Sequence, residues 1–493
     1  MRDLRRALLP SLVLLACGSP SPADTDGDTD APSSSAGTTA ATTTAATSAG
    51  TTAATSEATP TTSSGDTGSQ AGRPNWHEDI APLAAANCQS CHVAGGIGPF
   101  PMTTYDETKP WAPVMAASVM DATMPPWHAV ETDECEPPFG FKHDARLSAE
   151  EKALFQDWAA AGAPEGDPKL AASVPAPPSL DLAGATKTVL SPTAIDIPPA
   201  SGVRDFFHCL SIDPGNADTV YLDGLQVIAG NRGIVHHVLI YVDASGASAS
   251  WPGGVKKDCG GGAGIAGAVQ LIGGWVPGGL PIEPPADVGS EVPPGTRLIM
   301  NVHYHAAATA QSDSGTGLAL RWKTTAPKWS SLFQLIGDPG SGDSLHGSLM
   351  IPAGEKDHIE EYVYTVGSGQ NIPDIVDIRL WAALNHMHKV GVDMRVTLED
   401  RDTGAETCLL QTPRWDFNWQ RSYAYDTPIT SAQRVRAGDK IHVRCTYDNT
   451  LGNPGVQDML SEVGLDAPVD IHLGEGTLNE MCLTGLGVAI KGL

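Results

Sequence analysis

From about Thr186 to the C-terminus, apolar residues fall in short β-type runs cut off by glycine and proline turns. The runs at 234–242, 296–304, 378–383, 393–398 and 440–447 are each about one strand long, and no long helix is evident among them. Such strands bury their apolar faces by pairing into layers, so this half of the chain is expected to form β-sandwiches. The full composition agrees: 53 glycines, 39 prolines and 6% aromatic residues favour turn-rich β structure over helical bundles. With 493 residues, 41% of them hydrophobic, the chain has material for about three domains. A formal charge of −27 without a Lys/Arg cluster excludes nucleic acid as a partner.

The N-terminus reads differently. Arg2, Arg5 and Arg6 precede a short apolar stretch that ends at Cys17. This stretch is too short to span a bilayer and reads as a secretory signal. Leu14-Leu15-Ala16-Cys17 resembles a bacterial lipobox, in which Cys17 carries the lipid. Leu15 is a less usual residue there, which leaves ordinary signal-peptidase cleavage open. Residues 18–71 are dominated by Ser, Thr, Ala, Gly and Asp, too poor in apolar side chains to offset chain entropy, and are expected to be a disordered tether. The expected product is an exported protein of the bacterial cell envelope, facing the periplasm or the surface and touching membrane only through a lipid anchor.

Residues 72–168 contain Cys88-Gln89-Ser90-Cys91-His92. This CxxCH spacing lets two thiols form thioethers to haem while His92 ligates the iron. The bland alternative is a redox disulfide beside a chance histidine. Met102, Met115, Met120 and Met124 are candidates for the second axial ligand. Met124 is preferred because Pro125 and Pro126 stiffen the chain after it. A helix is expected over 147–160, with Ser148 as N-cap. The region reads as a small α-helical cytochrome c domain with covalent haem c, followed by a Pro-rich linker over 164–180.

The β region holds four groups of candidate metal ligands: His236-His237, His303, His386-Met387-His388 and Met481. His386 and His388 are two apart, so on a strand both point to one face. Imidazole suits copper, and thioether favours Cu(I). Adjacent His236 and His237 face opposite ways on a regular strand and need a bulge or a strand end to share an ion.

The order of these groups, with Gly274-Trp275-Val276-Pro277-Gly278, Val302-His303-Tyr304, Trp415-Asp416-Phe417-Asn418-Trp419-Gln420 and Cys445-Thr446-Tyr447-Asp448-Asn449-Thr450, resembles the copper type II, ascorbate-dependent monooxygenases. That family includes the peptidylglycine α-hydroxylating and dopamine β-monooxygenases. The resemblance covers roughly residues 190–493. It implies two jelly-roll-like β-sandwich copper domains, 186–325 and 326–493, each carrying one copper across a solvent-filled cleft. His236, His237 and His303 match the ligands of the electron-transfer copper. His386, His388 and Met481 match those of the catalytic, oxygen-binding copper. His305 is an extra histidine that either tunes the first site or faces solvent.

The resemblance also implies disulfides Cys209–Cys259 and Cys445–Cys482, and leaves Cys135 and Cys408 bonded to each other or free. It implies a small organic substrate, O2 and a reductant such as ascorbate or an electron-donor protein; the upstream haem suggests an internal electron relay. Leu384 stands where the peptide-amidating member has a carboxylate-binding arginine, and Leu483 and Gly485 replace its Asn and Tyr, so C-terminal glycine peptides are not the expected substrate. Two other functions compete: a periplasmic electron-transfer or copper-binding protein on the same scaffold, and a noncatalytic binding module.

Overall fold

The structure is a computed structural model that describes residues 72–179, 181–201, 204–267, 269–338, 340–368, 372–373 and 375–491. The expected signal peptide, Cys17 and all but the last residues of the N-terminal region before Pro74 lie outside the described residues. No helix among the described residues is long and apolar enough to cross a membrane.

The first described segment forms a small helical lobe. Helical turns Trp76–Ile80 run into Ala81–Asn87, followed by Tyr105–Thr108, Ala112–Met120 and Ala149–Ala160. The expected cap at Ser148 is present: its hydroxyl accepts the Glu151 amide at 3.2 Å, and the Glu151 carboxylate accepts the Ser148 amide at 2.8 Å. Ile80, Ala84, Phe155 and Trp158 are fully buried and form the centre of the lobe's core. Small Ala81, Ala84 and Ala85 let this helix lie close to its neighbours.

The chain does not stay in this lobe. Between Met120 and Leu147 it runs out as a strap across the C-terminal β domain. Trp127, Ala129 and Phe141 belong to that domain's core, packed on Tyr423 and Tyr425. Phe141 bridges to Tyr425, and the Lys142 amide donates to the Ala424 carbonyl at 2.8 Å. Cys135 and Cys408 are joined in a disulfide, so this pair is bonded rather than free. Sequence periodicity placed the strap inside the helical domain, because Trp127 and Phe141 carry no mark of which core takes them. Replacing both Cys135 and Cys408 by alanine is expected to lower stability by about 2–4 kcal/mol, since the bond closes a long loop. Thermal melts of the double variant under non-reducing conditions check this; a melting point equal to that of the parent would contradict it.

The expected β layers form, packed as two sandwiches. In the first, strands Val255–Lys256, Asp205–Ile212, Arg297–His305, Val235–Asp243 and Gln270–Trp275 pair in that order. They pack on a second layer built from Lys187–Leu190, Gly317–Lys323, Val220–Ile228 and Val288–Val292. Strand alternation places the ligands. In Arg297–His305, Leu298, Met300, Val302 and Tyr304 point into the core, so His303 and His305 fall on the opposite face. That face looks toward the second domain, because Tyr241, Leu271 and Ile299 on the same side share a core with Phe333, Trp381 and Ala489.

In the second domain, strands Trp329–Asp338, Cys482–Lys491 and Asp377–His386 form the middle of one layer. Lys356–Thr365, Lys440–Asp448, Gly391–Glu399 and Glu406–Thr412 form the other. Trp329 and Ser330 pair in parallel with Val288 and Gly289 of the first domain, so one nine-stranded sheet runs through both sandwiches. One helix, Pro454–Val463, interrupts the expected all-β pattern. Its signals are local: the Asn453 side chain caps it, Pro454 opens it, and Gly464 closes it at φ 73°.

Candidate metal centre

His236, His237 and His303 come together as the sequence pairing suggested. The register of Val235–Asp243 against Arg297–His305 shifts between Val235 and His237, so His236 is the extra residue of a bulge and both imidazoles turn to one side. The Nδ1 atoms of His236 and His237 lie 3.3 Å apart, as do those of His237 and His303. Two nitrogens that share one ion at about 2.0–2.1 Å each are separated by roughly this distance. The three residues therefore fit a metal ion.

A carboxylate that carries no motif holds the set in place. Asp205 Oδ1 accepts His303 Nε2 at 2.9 Å, which leaves Nδ1 of His303 as the ligand atom. The same oxygen lies 3.1 Å from His305 Nδ1, so His305 shares this partner instead of joining the cluster. Asp205 Oδ2 accepts the Thr477 hydroxyl at 2.8 Å, tying the cluster to the second domain. Burial would raise the Asp205 carboxyl, but hydrogen bonds from His303 and His305 outweigh it and hold the group well below the usual carboxylate range. Phe207 stacks on His303 at 4.3 Å.

His386, His388 and Met481 form the second set. His386 ends its strand, buried Met387 points into the core, and His388 returns to the side of His386, with ring centroids 5.2 Å apart. His386 pairs with Leu483 in antiparallel register, which continued by two residues brings Met481 opposite His388. Each imidazole has Nδ1 engaged: His386 with the Gln420 amide oxygen, and His388 with the Asn479 carbonyl at 2.9 Å. Both therefore offer Nε2, and Met481, 7% exposed, offers a thioether.

Glu480 ties this set together. Its carboxylate accepts the backbone N–H of His388, of Met481 at 2.9 Å and of Val390 at 3.0 Å. Burial raises its pKa to about 8 against the pull of those amides. The Tyr447 hydroxyl donates to the Met481 carbonyl at 2.9 Å, and the Cys445–Cys482 disulfide fixes the next residue. Cys209–Cys259 braces the first domain, so both pairings implied by the resemblance are present. Three disulfides fit an oxidising compartment outside the cytoplasm.

The two sets adjoin, in contrast to the expected separation across a solvent-filled cleft. The rings of His237 and His386 are 6.1 Å apart, and Phe417 lies 4.9 Å from His236 and 5.9 Å from His388. The shared sheet and the apolar core between the domains hold the two faces together. Beside both sets opens a cavity of about 470 Å³. Its walls near His386, His388 and Met481 include Leu335, Phe333, Trp381, Leu384 and Leu483.

Burial holds these histidines neutral: His236 and His388 are each lowered to about 3, His237 well below its ordinary value, and His303 and His386 are lowered too. A neutral imidazole is the form that binds metal. The sign for stability follows. A histidine depressed in the folded state binds its proton more readily when unfolded, so stability is present above about 6.5 and falls as pH drops toward 3. Asp205 acts in the same direction at the acid end, as do the lowered His128 and His208; Glu480, Asp338, Asp393 and Glu475, raised by burial, act in the opposite one. The melting temperature of the metal-free protein is therefore expected to fall between pH 7 and pH 4. Thermal scans across that range check it, and a flat profile would contradict it.

In the helical lobe, Cys88 and Cys91 are not joined to each other, whereas the six other described cysteines are paired. Burial pushes the Cys88 thiol up to about 12. His92 Nδ1 lies 2.9 Å from the Phe100 carbonyl oxygen, which leaves Nε2 available. Gly98 passes so close to this ring that a Cβ there would lie 2.7 Å from Nδ1. Met102 and Met115 are buried in the lobe's core and Met120 is 46% exposed. Met124 is half-buried at the start of the strap, its amide bonded to the Ser118 carbonyl.

At the junction of two sandwiches, His236, His237 and His303 form a cluster that could hold a metal ion. No family model matches the chain. The chain is 25% identical to the DBH-like monooxygenase protein 2 of Mus musculus over 266 residues, 52% of this chain and 38% of that protein. The match thus spans well under half of the relative's length. This is a distant likeness to a DBH-like monooxygenase over about half of the chain.

Proposed function

We propose that this protein is a copper-dependent monooxygenase that hydroxylates a C–H bond of a small organic substrate. The observation that carries the reading is the adjacency of the two candidate sets beside one largely apolar cavity, which His237, His386, His388 and Met481 line. The net reaction, R–H + O2 + 2 e⁻ + 2 H⁺ → R–OH + H2O, needs an outside reductant, for which ascorbate or a redox protein serves. Copper, when bound, supplies the one-electron redox and dioxygen chemistry that protein side chains lack.

The residues do the rest. His236, His237 and His303 would hold the electron-transfer copper through Nδ1, with Asp205 fixing the tautomer of His303. His386 and His388 would hold the oxygen-binding copper through Nε2, with Met481 as a soft third ligand suited to the reduced ion. Gln420 and the Asn479 carbonyl orient the two rings. Leu384, Leu483, Phe333 and Trp381 would bind an apolar substrate and keep water from the reacting carbon.

Cys88, Cys91 and His92 would hold covalent haem c in the helical lobe, with Met124 as a further ligand, and the group would supply one-electron transfer toward the coppers. Cys17 is assigned as the lipid-anchored residue of an envelope protein. Oxygen uptake by copper-loaded protein with ascorbate, across a panel of apolar compounds, tests the reading. Substrate-dependent uptake with a hydroxylated product supports it; copper binding without uptake by any compound leaves the electron-transfer function instead.

A further inference from the structure

One segment, residues 414–421, contacts members of both histidine sets and lies beside the loop that follows the CxxCH motif. At the metal sets, the Trp415 indole N–H donates to the His388 carbonyl at 2.9 Å. Phe417 lies against both His236 and His388, and Gln420 orients His386. The same segment meets the end of the helical lobe and the strap that leaves it. Arg414 donates to the Asp121 carbonyl at 2.9 Å, where the helix Ala112–Met120 ends, and its own carbonyl lies 2.7 Å from His128 Nδ1. Arg421 donates to the Pro126 carbonyl at 3.4 Å, and its guanidinium lies 5.4 Å from the Trp127 ring.

The CxxCH loop reaches the same place. A Cβ on Gly278 would meet Ile97 at 3.0 Å and Trp419 at 3.5 Å, so the loop after His92 and the 414–421 segment close on one glycine of the first β domain.

We propose that residues 414–421 are the electron junction of the protein, passing electrons from a haem held by the CxxCH loop to both histidine sets. The proposal rests on the haem and copper assignments made above. Trp419, beside Ile97 of that loop, and Phe417, beside His236 and His388, supply the aromatic route. Each transfer moves one electron: the haem iron is oxidised from ferrous to ferric and one Cu(II) is reduced to Cu(I). The ferric haem is then recharged by a one-electron reductant of the ascorbate or redox-protein class. No proton or atom is transferred in this step.

The test uses the whole exported protein, made in a host that attaches c-type haem, with haem and copper content measured first. A preparation without covalent haem or without copper overturns the assignments and this proposal with them. With both present, the haem is photoreduced anaerobically by a flavin and its absorbance followed. The copper-loaded protein is expected to show an intramolecular reoxidation phase that the copper-free protein lacks. Trp419→Leu should slow that phase roughly tenfold at an unchanged haem potential.

Copper-loaded protein without the fast phase overturns the junction while leaving the haem and copper assignments intact. Wild-type kinetics in Trp419→Leu overturns the role given to Trp419.

Discussion

On the proposed assignment, His388→Ala is expected to remove one of two bound coppers and to lower hydroxylation by more than about 100-fold, since even the loss of a residue that only orients a ligand costs about 10–100-fold. His388 contributes one ring nitrogen to its set, and its other nitrogen is already committed to the Asn479 carbonyl. No neighbouring imidazole is placed to replace it, because His386 is held by Gln420 and His237 faces His303. The copper held by His236, His237 and His303 should remain. Elemental analysis and steady-state oxygen uptake on the variant check both parts. Full copper content in His388→Ala would contradict the assignment of the second set.

The second large effect is at Glu480, which binds no metal in this account. Glu480→Ala removes the acceptor for the backbone N–H groups of His388, Met481 and Val390, all buried. An unsatisfied buried donor costs about 1–3 kcal/mol, so three of them are expected to cost upward of about 3 kcal/mol. The loss should appear at the second metal set as well, because two of the three amides belong to its ligands. Chemical denaturation and copper titration measure the two effects. A variant with parental stability and parental copper affinity would show that the carboxylate positions nothing.

The parts of this site that were legible in the sequence share a cause. His386 and His388, His236 and His237, and Cys88, Cys91 and His92 are close together in the chain, so their spacing alone expresses the geometry. Strand alternation explains why His303 leaves the core while Val302 and Tyr304 enter it. The bulge at His236 was required by the chemistry before it was seen in the register. The disulfides Cys209–Cys259 and Cys445–Cys482 were legible only through family resemblance, since six cysteines allow many pairings.

What was not legible depends on contacts between distant segments. Asp205 meets His303 from almost a hundred residues away and stands in no motif. Glu480 lies beside a recognised ligand, yet its three amide partners come from two separate strand ends. The strap from Met120 to Leu147 is the clearest case. Its aromatic residues look equally suited to a helical core, and only the shape of the surface around Tyr423 and Tyr425 decides where they go. The close approach of the two metal sets likewise depends on how the sandwiches dock, which the parallel pairing of Trp329 with Val288 controls.

The most direct test of the account is the copper content of the purified protein, reconstituted anaerobically with Cu(I) and freed of loosely held metal. Two coppers per chain, falling to one in Met481→Ala and to one in His303→Ala, is the predicted result. A chain that retains no copper, or a single copper that both variants abolish, would contradict two independent ligand sets at the junction of the sandwiches.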